Sequence, residues 1–133
     1  MHVTRIYTGD DGKSHFQEVE LDFNPRGDGQ SEATQPANAR HAFFTRQSAD
    51  YVLDWHCAPG RQYVITLDGE GEIEVGDGST KRFGPGDVLL AEDLTGQGHV
   101  TRVVGGKPGP FLWGPVVSGG GGVKVIDRAV TGR

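Results

Sequence analysis

Short alternating segments, separated by turns rich in glycine and proline, are the feature that most constrains the fold of this chain. In GEIEV (71–75) and GHVTRVVG (98–105), apolar and polar residues alternate with a period of two. That period is typical of strands with one buried face, and apolar residues at helical spacing are nowhere sustained. The chain has 22 glycines and 7 prolines, many of them between such runs, and the 133 residues are expected to form one all-β domain.

The turn signals divide the chain into about ten short strands. Two N-terminal strands lie within residues 1–23, and a polar loop over 24–39, with room for a helical turn, follows them. The next strands are expected at 40–46, 51–58, 62–67, 71–75, 81–83, 88–91, 98–105 and 111–117. Because Asp-Gly tolerates positive φ, the DGEG at 68–71 indicates a hairpin between its flanking strands. The C-terminal tail, 118–133, is predicted to be flexible, although its VKVIDRAV segment also fits an edge strand.

The alternation assigns side chains to the two faces of each strand. Three sets of residues are each expected to share a face: Asp54, His56 and Ala58; Gln62, Val64 and Thr66; and His99, Thr101 and Val103. Over residues 70–75 the glutamates alternate with isoleucine and valine, which indicates one solvated face of an antiparallel sheet. A sandwich or barrel is the expected architecture, because closing the sheet removes its exposed edges.

Composition and charge exclude several classes of function. The net charge is -5 and the 13 basic residues are scattered, whereas a nucleic-acid-binding surface needs clustered Lys and Arg. The single cysteine, Cys57, excludes an internal disulfide and is typical of a reducing compartment. No apolar signal core begins the chain, and no stretch approaches the roughly 18 apolar residues of a membrane span. We therefore expect a cytoplasmic protein with neither nucleic acid nor membrane as a partner.

Two stretches of the chain resemble the conserved motifs of the cupin family of small β-barrels. In the first, His56, Ala58 and Gln62 stand where the family motif carries two histidines and a glutamate. In the second, FGPGDVLLAEDLTGQGHVTRV, His99 stands at the motif's histidine, although the stretch before it is longer than in the family. The resemblance covers roughly residues 40–117. It implies a cupin-like antiparallel β-barrel, also described as a jelly roll or double-stranded β-helix.

In cupins that bind metal, these motif positions surround Fe, Mn, Ni, Zn or a similar ion. Carried over to this chain, the resemblance implies that His56, Gln62 and His99 are metal ligands, whereas Ala58 cannot coordinate. A neutral amide is a weaker ligand than a carboxylate, so we expect the metal to be held weakly. The alternative is that no cofactor binds and that the two cavity histidines hydrogen-bond to Gln62 or to a ligand.

Two other registers of the first motif remain open. In one of them Cys57 is a ligand, which requires a β-bulge because Cys57 and His56 point to opposite sides of a regular strand. In the other, Asp54 and His56 take the places of the paired histidines. Together with His99 they would then supply one carboxylate and two imidazoles, as in non-haem iron sites.

The extended turn before His99 carries two carboxylates, Glu92 and Asp93. Loops at the mouth of a barrel are where binding and catalytic groups collect. One of these carboxylates is a candidate to act as a general base or to orient His99. We select His99 and Glu92 as the candidate catalytic residues. The competing interpretation is a solvated acidic turn.

Four residues are candidates for contact with a substrate: Gln62, Thr101, Trp113 and His41. Gln62 and Thr101 are expected to present polar groups to the interior of the barrel. Trp113 offers a large aromatic surface, and the alternative for it is packing between sheets or in a dimer interface. His41 lies on a strand expected at the barrel mouth, where a lone histidine is more often packed or exposed.

The resemblance implies a small-molecule enzyme that acts on a small organic acid or phenol. A divalent metal would serve as a Lewis acid or dioxygen-activating centre, and dioxygenase, isomerase, decarboxylase and lyase chemistry all remain open. The alternatives are a metal-free small-molecule-binding protein and a structural module with a degenerate site. A homodimer is expected from the resemblance and from terminal strands that need partners.

Overall fold

The computed structural model describes residues 1–40 and 42–105, together with the backbone of two further strands that end at residue 129. The strands are β1 (His2–Thr8), β2 (Ser14–Leu21), β3 (Asn24–Pro25), β4 (Glu32–Ala33), β5 (Phe43–Arg46), β6 (Val52–His56), β7 (Gln62–Thr66), β8 (Glu70–Glu74), β9 (Thr80–Phe83), β10 (Val88–Glu92), β11 (His99–Val104), β12 (Pro110–Pro115) and β13 (Val123–Ala129). The prediction of an all-β fold is confirmed. In the described residues no helix has the length and apolar character needed to cross a membrane.

Hydrogen bonding joins the described strands into two large sheets and one short ladder. The larger sheet has seven strands in the order β13-β2-β1-β10-β7-β12-β5, and the smaller has four in the order β6-β11-β8-β9. β1 runs parallel to β10, and β13 pairs with β2 at the edge of the larger sheet, as the edge-strand alternative for this segment supposed. Among the described strands, neither sheet closes into a barrel.

The hairpin predicted at residues 68–71 is wrong. β7 pairs with β10 and β12 in the larger sheet, whereas β8 pairs with β9 and β11 in the smaller one. The chain therefore crosses from one sheet to the other at Asp68 and Gly69, with Gly69 at a φ of 73°. The Asp-Gly sequence predicts a turn, but it does not determine the partner of the strand that follows. The burial of the apolar residues of β8 decides which strands β8 pairs with.

The two large sheets face each other across an apolar core. Ile6, Phe16, Leu89 and Ala91 contribute to it from the larger sheet, and Ile73, Val75 and Phe83 contribute from the smaller sheet. On β8 the glutamates lie on the opposite side, where Glu72 and Glu74 pair with Arg102 of β11. The solvated face predicted for residues 70–75 is thereby confirmed.

The outer face of the larger sheet carries a second, smaller apolar cluster of Val3, Val19 and Leu90. Thr34, Gln35 and Ala37 line a cavity against this face together with Tyr63 and Val88. The segment 24–39 is a loop as predicted, but it contains the β3–β4 ladder rather than a helical turn. This loop lies over the outer face of the larger sheet. The functional site described below lies on the other face, which is turned toward the smaller sheet.

Candidate functional site

A cavity of about 190 Å³ lies between the two large sheets. Its apolar walls include Val64, Ile73, Phe83, Leu89 and Ala91. Imidazole, amide and hydroxyl side chains also line it: His56, Gln62, Thr66, His99 and Thr101. A concave apolar pocket with a few convergent polar groups is the usual form of a small-molecule site.

His56 and His99 meet across a strand pair at one end of this cavity. His56 is the last residue of β6, His99 is the first residue of β11, and the two are directly opposite in the antiparallel register. Residues opposite each other in such a pair project to the same face of the sheet. The two ring centroids are 4.4 Å apart and the ring planes are inclined by 59°. Two imidazoles distant in sequence therefore come into contact in the cavity.

A β-bulge in β6 changes which residues accompany His56. The register with β11 shifts between His99, opposite His56, and Thr101, opposite Leu53. Leu53 and His56 consequently both line the cavity. The prediction that Asp54 shares the face of His56 is wrong, because a bulge inserts one extra residue and reverses the alternation. The Asp54 side chain is exposed.

A glycine allows β6 and β11 to approach this closely. Gly98 precedes His99 and has a φ of 74°, in the left-handed region that favours glycine. A Cβ at residue 98 would lie 2.0 Å from the carbonyl oxygen of His56. The absence of a side chain at Gly98 is therefore a condition for the contact between the two imidazoles.

His99 is buried, at 5% exposure, and its Nδ1 lies 2.5 Å from Oδ2 of Asp93. The Asp93 carboxylate is fully buried, and the same oxygen accepts a hydrogen bond of 2.6 Å from Oγ of Ser14. The backbone carbonyl of Asp93 accepts from the N–H of Ala58. Of the two carboxylates that precede His99 in the sequence, Glu92 and Asp93, the structure therefore brings Asp93 into contact with His99. Ser14 carried no signal in the sequence, because it lies on β2 and far along the chain.

His56 is half-buried, and its Nδ1 lies 2.7 Å from the backbone carbonyl oxygen of Asp54. Burial lowers the pKa of His56 below its ordinary value, because the imidazolium loses hydration. The hydrogen bond to Asp54 opposes this shift, the proximity of His99 adds to it, and the charge of Asp93 opposes it. The neutral imidazole, which is the form that binds metals, is therefore favoured at His56.

Gln62 and Thr101 lie where the alternation predicted. Gln62 begins β7, is 4% exposed, and lines the cavity from the larger sheet. Thr101 lines it from β11, in the smaller sheet. The predicted face of β7 is confirmed, since Val64 and Thr66 also line the cavity, whereas on β11 Arg102 borders it as well as Thr101 and Val103. The three residues proposed as metal ligands, His56, Gln62 and His99, thus border the same space.

Glu92 does not lie at the cavity. Its carboxylate accepts a hydrogen bond of 2.5 Å from Nε of Arg5 and also pairs with Arg61. Arg5 in turn lies over the ring of Tyr7 and donates to Gln17. Glu92 and Asp93 are neighbours on a strand end, so their side chains leave it in different directions. Glu92 belongs to a partly buried ion-pair cluster on the larger sheet.

The remaining candidates are placed as follows. Trp113 lies in β12 opposite Val64 in the register, and its side chain is outside the described part of the structure. His41 is likewise outside the described residues. Cys57 does not border the cavity, and its thiol lies 3.3 Å from the carbonyl oxygen of Gly96. The register that makes Cys57 a ligand therefore gains no support.

Within residues 1–40 and 42–105, no three histidine, cysteine, aspartate or glutamate side chains are grouped as a metal site would need. No protein-family model matches this chain, and no curated protein matches it either.

Proposed function

We propose that this protein is a cupin-type small-molecule enzyme whose cavity holds a small organic acid or phenol beside a divalent metal, Fe, Mn, Ni or Zn. His56, Gln62 and His99 would hold the metal, and the open coordination positions would accept water or substrate. The contact between two imidazoles in a cavity with largely apolar walls carries this proposal. When bound, the metal would supply Lewis-acid or dioxygen-activating chemistry.

The hydrogen bonds of the two rings favour metal binding through Nε2. A carbonyl oxygen only accepts, so Nδ1 of His56 carries the proton that it donates to Asp54. Nδ1 of His99 faces the carboxylate of Asp93, which fills the same role. In metal sites, a ligating histidine nearly always donates its other ring N–H to a carboxylate or backbone carbonyl. Both rings have that arrangement here.

The rings are close enough to share one ion. Their centroids lie 4.4 Å apart, so both imidazoles would be able to hold a single divalent metal through Nε2, because a metal–nitrogen bond is about 2.1 Å long.

The cupin resemblance gains support from the positions of its motif residues. His56, Ala58, Gln62 and His99 all line one cavity between two facing sheets, as the motif residues of a jelly-roll cupin would. We include the jelly-roll topology in the proposal. Ala58 lies where the family has a second histidine, so this chain would bind its metal less tightly than a cupin with all four ligands.

The size and lining of the cavity support a monocyclic ligand. An apolar cavity of about 150 Å³ accommodates benzene, and this cavity measures about 190 Å³. A six-membered ring with one polar substituent therefore fits it. The apolar walls would contact the ring, and the imidazoles and Gln62 would meet the hydroxyl or carboxylate.

A metal-free binding protein is the second candidate function. It is favoured by the chemistry of the donor set, since alanine and glutamine stand at two of the four motif positions. In that case His99, fixed by Asp93, would serve as a hydrogen-bonding partner or proton acceptor for the ligand. The cavity and its walls would be used in the same way.

A homodimer is part of the proposal as well. β5 is an edge strand of the larger sheet and β6 is an edge strand of the smaller one. Large apolar side chains on these edges are exposed: Phe43, Phe44, Val52, Leu53 and Trp55. A second copy of the chain would remove this apolar surface from water.

Titration of tag-free protein with Zn²⁺ or Mn²⁺ tests the proposed metal site. We expect one ion to bind each chain, and His56→Ala and His99→Ala each to weaken the affinity by at least about tenfold. His2→Ala is the matched control, because His2 lies half-exposed on β1 and away from the cavity. Absence of binding, or equal loss in the control, would refute the metal site.

A ligand test separates the two candidate functions. Phenol and benzoate are suitable probes, with binding observed by ligand-detected NMR with and without the metal. The enzyme proposal expects the metal to strengthen binding. Binding that needs no metal and is lost in His99→Ala would favour the metal-free protein, whereas no binding in either state would leave a structural module.

A further inference from the structure

We propose that Asp93 is a positioning residue for the candidate site. Its carboxylate holds His99 as the tautomer with the proton on Nδ1, and so keeps the lone pair of Nε2 for whatever binds in the cavity. Ser14 holds the carboxylate in place. The role of Nε2 in binding rests on the proposed function, whereas the tautomer of His99 is independent of it.

The contacts of Asp93 support this role. Asp93 is 0% exposed, and its Oδ2 lies 2.5 Å from Nδ1 of His99 and 2.6 Å from Oγ of Ser14. A carboxylate oxygen that accepts from two donors has a fixed orientation, because two hydrogen bonds together restrict the rotation of the side chain more than either does alone. A charge-assisted bond to Nδ1 is stronger than a neutral one, and it favours the proton on that nitrogen.

The backbone on either side of Asp93 restricts it further. The carbonyl oxygen of Asp93 accepts from the N–H of Ala58, 3.0 Å away, in the segment between β6 and β7. Ser14 belongs to the larger sheet and His99 to the smaller one. Asp93 therefore links both sheets at the end of the cavity where the two imidazoles meet.

The energetic cost of this carboxylate argues against a role in stability alone. Its second oxygen, Oδ1, is buried without a hydrogen-bond partner among the described residues. A buried carboxylate with one unsatisfied oxygen is expensive, and replacing a whole buried set of polar groups by apolar ones is often neutral or stabilising. Apolar side chains in place of Asp93 and its two donors would therefore fill this position without that cost. They could not replace the interaction with Nδ1 of His99.

The two histidines make the inference testable within one molecule. Nδ1 of His56 donates to a backbone carbonyl, which no side-chain substitution removes. Nδ1 of His99 depends on the side chain of Asp93. A change at Asp93 should therefore alter the tautomer of His99 and leave that of His56 as it was.

The measurement is a two-bond ¹H–¹⁵N correlation spectrum of the imidazoles in protein treated with a chelator. In the wild type we expect His99 to carry its proton on Nδ1. In Asp93→Leu, which keeps a branched side chain of similar size, we expect the proton to move toward Nε2 at His99 only. Asp93→Ala is a second variant with the same expectation. A wild-type His99 protonated on Nε2, or an unchanged tautomer in both variants, would overturn the proposal.

Ser14→Ala is the matched control, because it removes a neighbour of the same oxygen and leaves the bond to His99. The proton should stay on Nδ1 in this variant, and movement there but not in Asp93→Leu would overturn the assignment to Asp93. If the metal site is also right, Asp93→Leu will weaken metal affinity by about 10- to 100-fold. The spectra are recorded without metal, so a protein that binds no metal can still show the tautomer that we propose.

Discussion

Replacing Gly98 by alanine, which adds a single methyl group, should disrupt the contact between the two imidazoles. Gly98 has a φ of 74° and precedes His99 at the point where β11 meets the end of β6. The new Cβ would lie 2.0 Å from the carbonyl oxygen and 2.4 Å from the carbonyl carbon of His56. Both atoms belong to the backbone, so no side-chain rotation relieves the overlap.

Two contributions set the magnitude. A non-glycine residue in the left-handed region costs about 1–2 kcal/mol. Ordinary contact for a Cβ begins at 3.4 Å, so His56 or Gly98 must move by roughly 1.4 Å, and overpacking of that kind costs about 1–3 kcal/mol. Together, Gly98→Ala should lower the free energy of unfolding by about 2–5 kcal/mol.

Gly78→Ala is the matched control. Gly78 also has a positive φ, 88°, but a Cβ there would meet no atom within 4 Å. Only the conformational cost of about 1–2 kcal/mol remains. Urea denaturation followed by circular dichroism gives both free energies of unfolding, and their difference measures the overlap with β6. Equal destabilisation in the two variants would refute the close approach of β6 and β11 on which the site depends.

Three further predictions concern the site and the surface. Ala58→His, at the position where the resemblance implies a further ligand, should bind Zn²⁺ at least about tenfold more tightly than the wild type in a calorimetric titration, and unchanged affinity would contradict the proposed ligand geometry. Burial lowers the pKa of His56 below 6.5, so at falling pH the unfolded chain takes up a proton before the folded one. The free energy of unfolding of the metal-free protein should therefore fall as the pH drops below 6.5. His56→Gln should flatten this part of the pH profile, and parallel profiles of the two proteins would contradict the prediction. Phe44→Lys, at a side chain that is 70% exposed on an edge strand, should convert the proposed dimer to a monomer in light scattering, whereas a wild-type monomer would end that proposal.

The sequence predicts the site best where a strand is regular. On β7 the alternation is uninterrupted, so the period of two places Gln62 in the cavity together with Val64 and Thr66. His99 and Thr101 of β11 also line the cavity as predicted. Most strand positions are predicted for the same reason, because short apolar runs between glycine-rich turns leave few other structures open to the chain.

The prediction is wrong where tertiary packing overrides a local rule. The bulge in β6 depends on how its partner β11 runs, so the sequence of β6 alone places Asp54 on the same face as His56. The turn at Asp68 and Gly69 has the residues of a hairpin, yet the strands on either side enter different sheets. In both cases the deciding contacts come from residues distant in the chain.

The choice between Glu92 and Asp93 has a similar basis. Both are acidic and both precede His99, and the sequence does not show which side of the strand end faces the cavity. The structure shows Glu92 paired with Arg5, and Asp93 buried against Ser14 and His99. Ser14 lies 79 residues from Asp93 in the sequence, so only the pairing of the sheets brings the two together.

Anomalous diffraction from crystals of the tag-free protein grown with Zn²⁺ and recorded at the zinc edge tests the central claim most directly. We expect one strong anomalous peak between Nε2 of His56 and Nε2 of His99, in the cavity that Gln62 also lines. Crystals that bind zinc elsewhere, or that show the two rings apart and facing solvent, would contradict it.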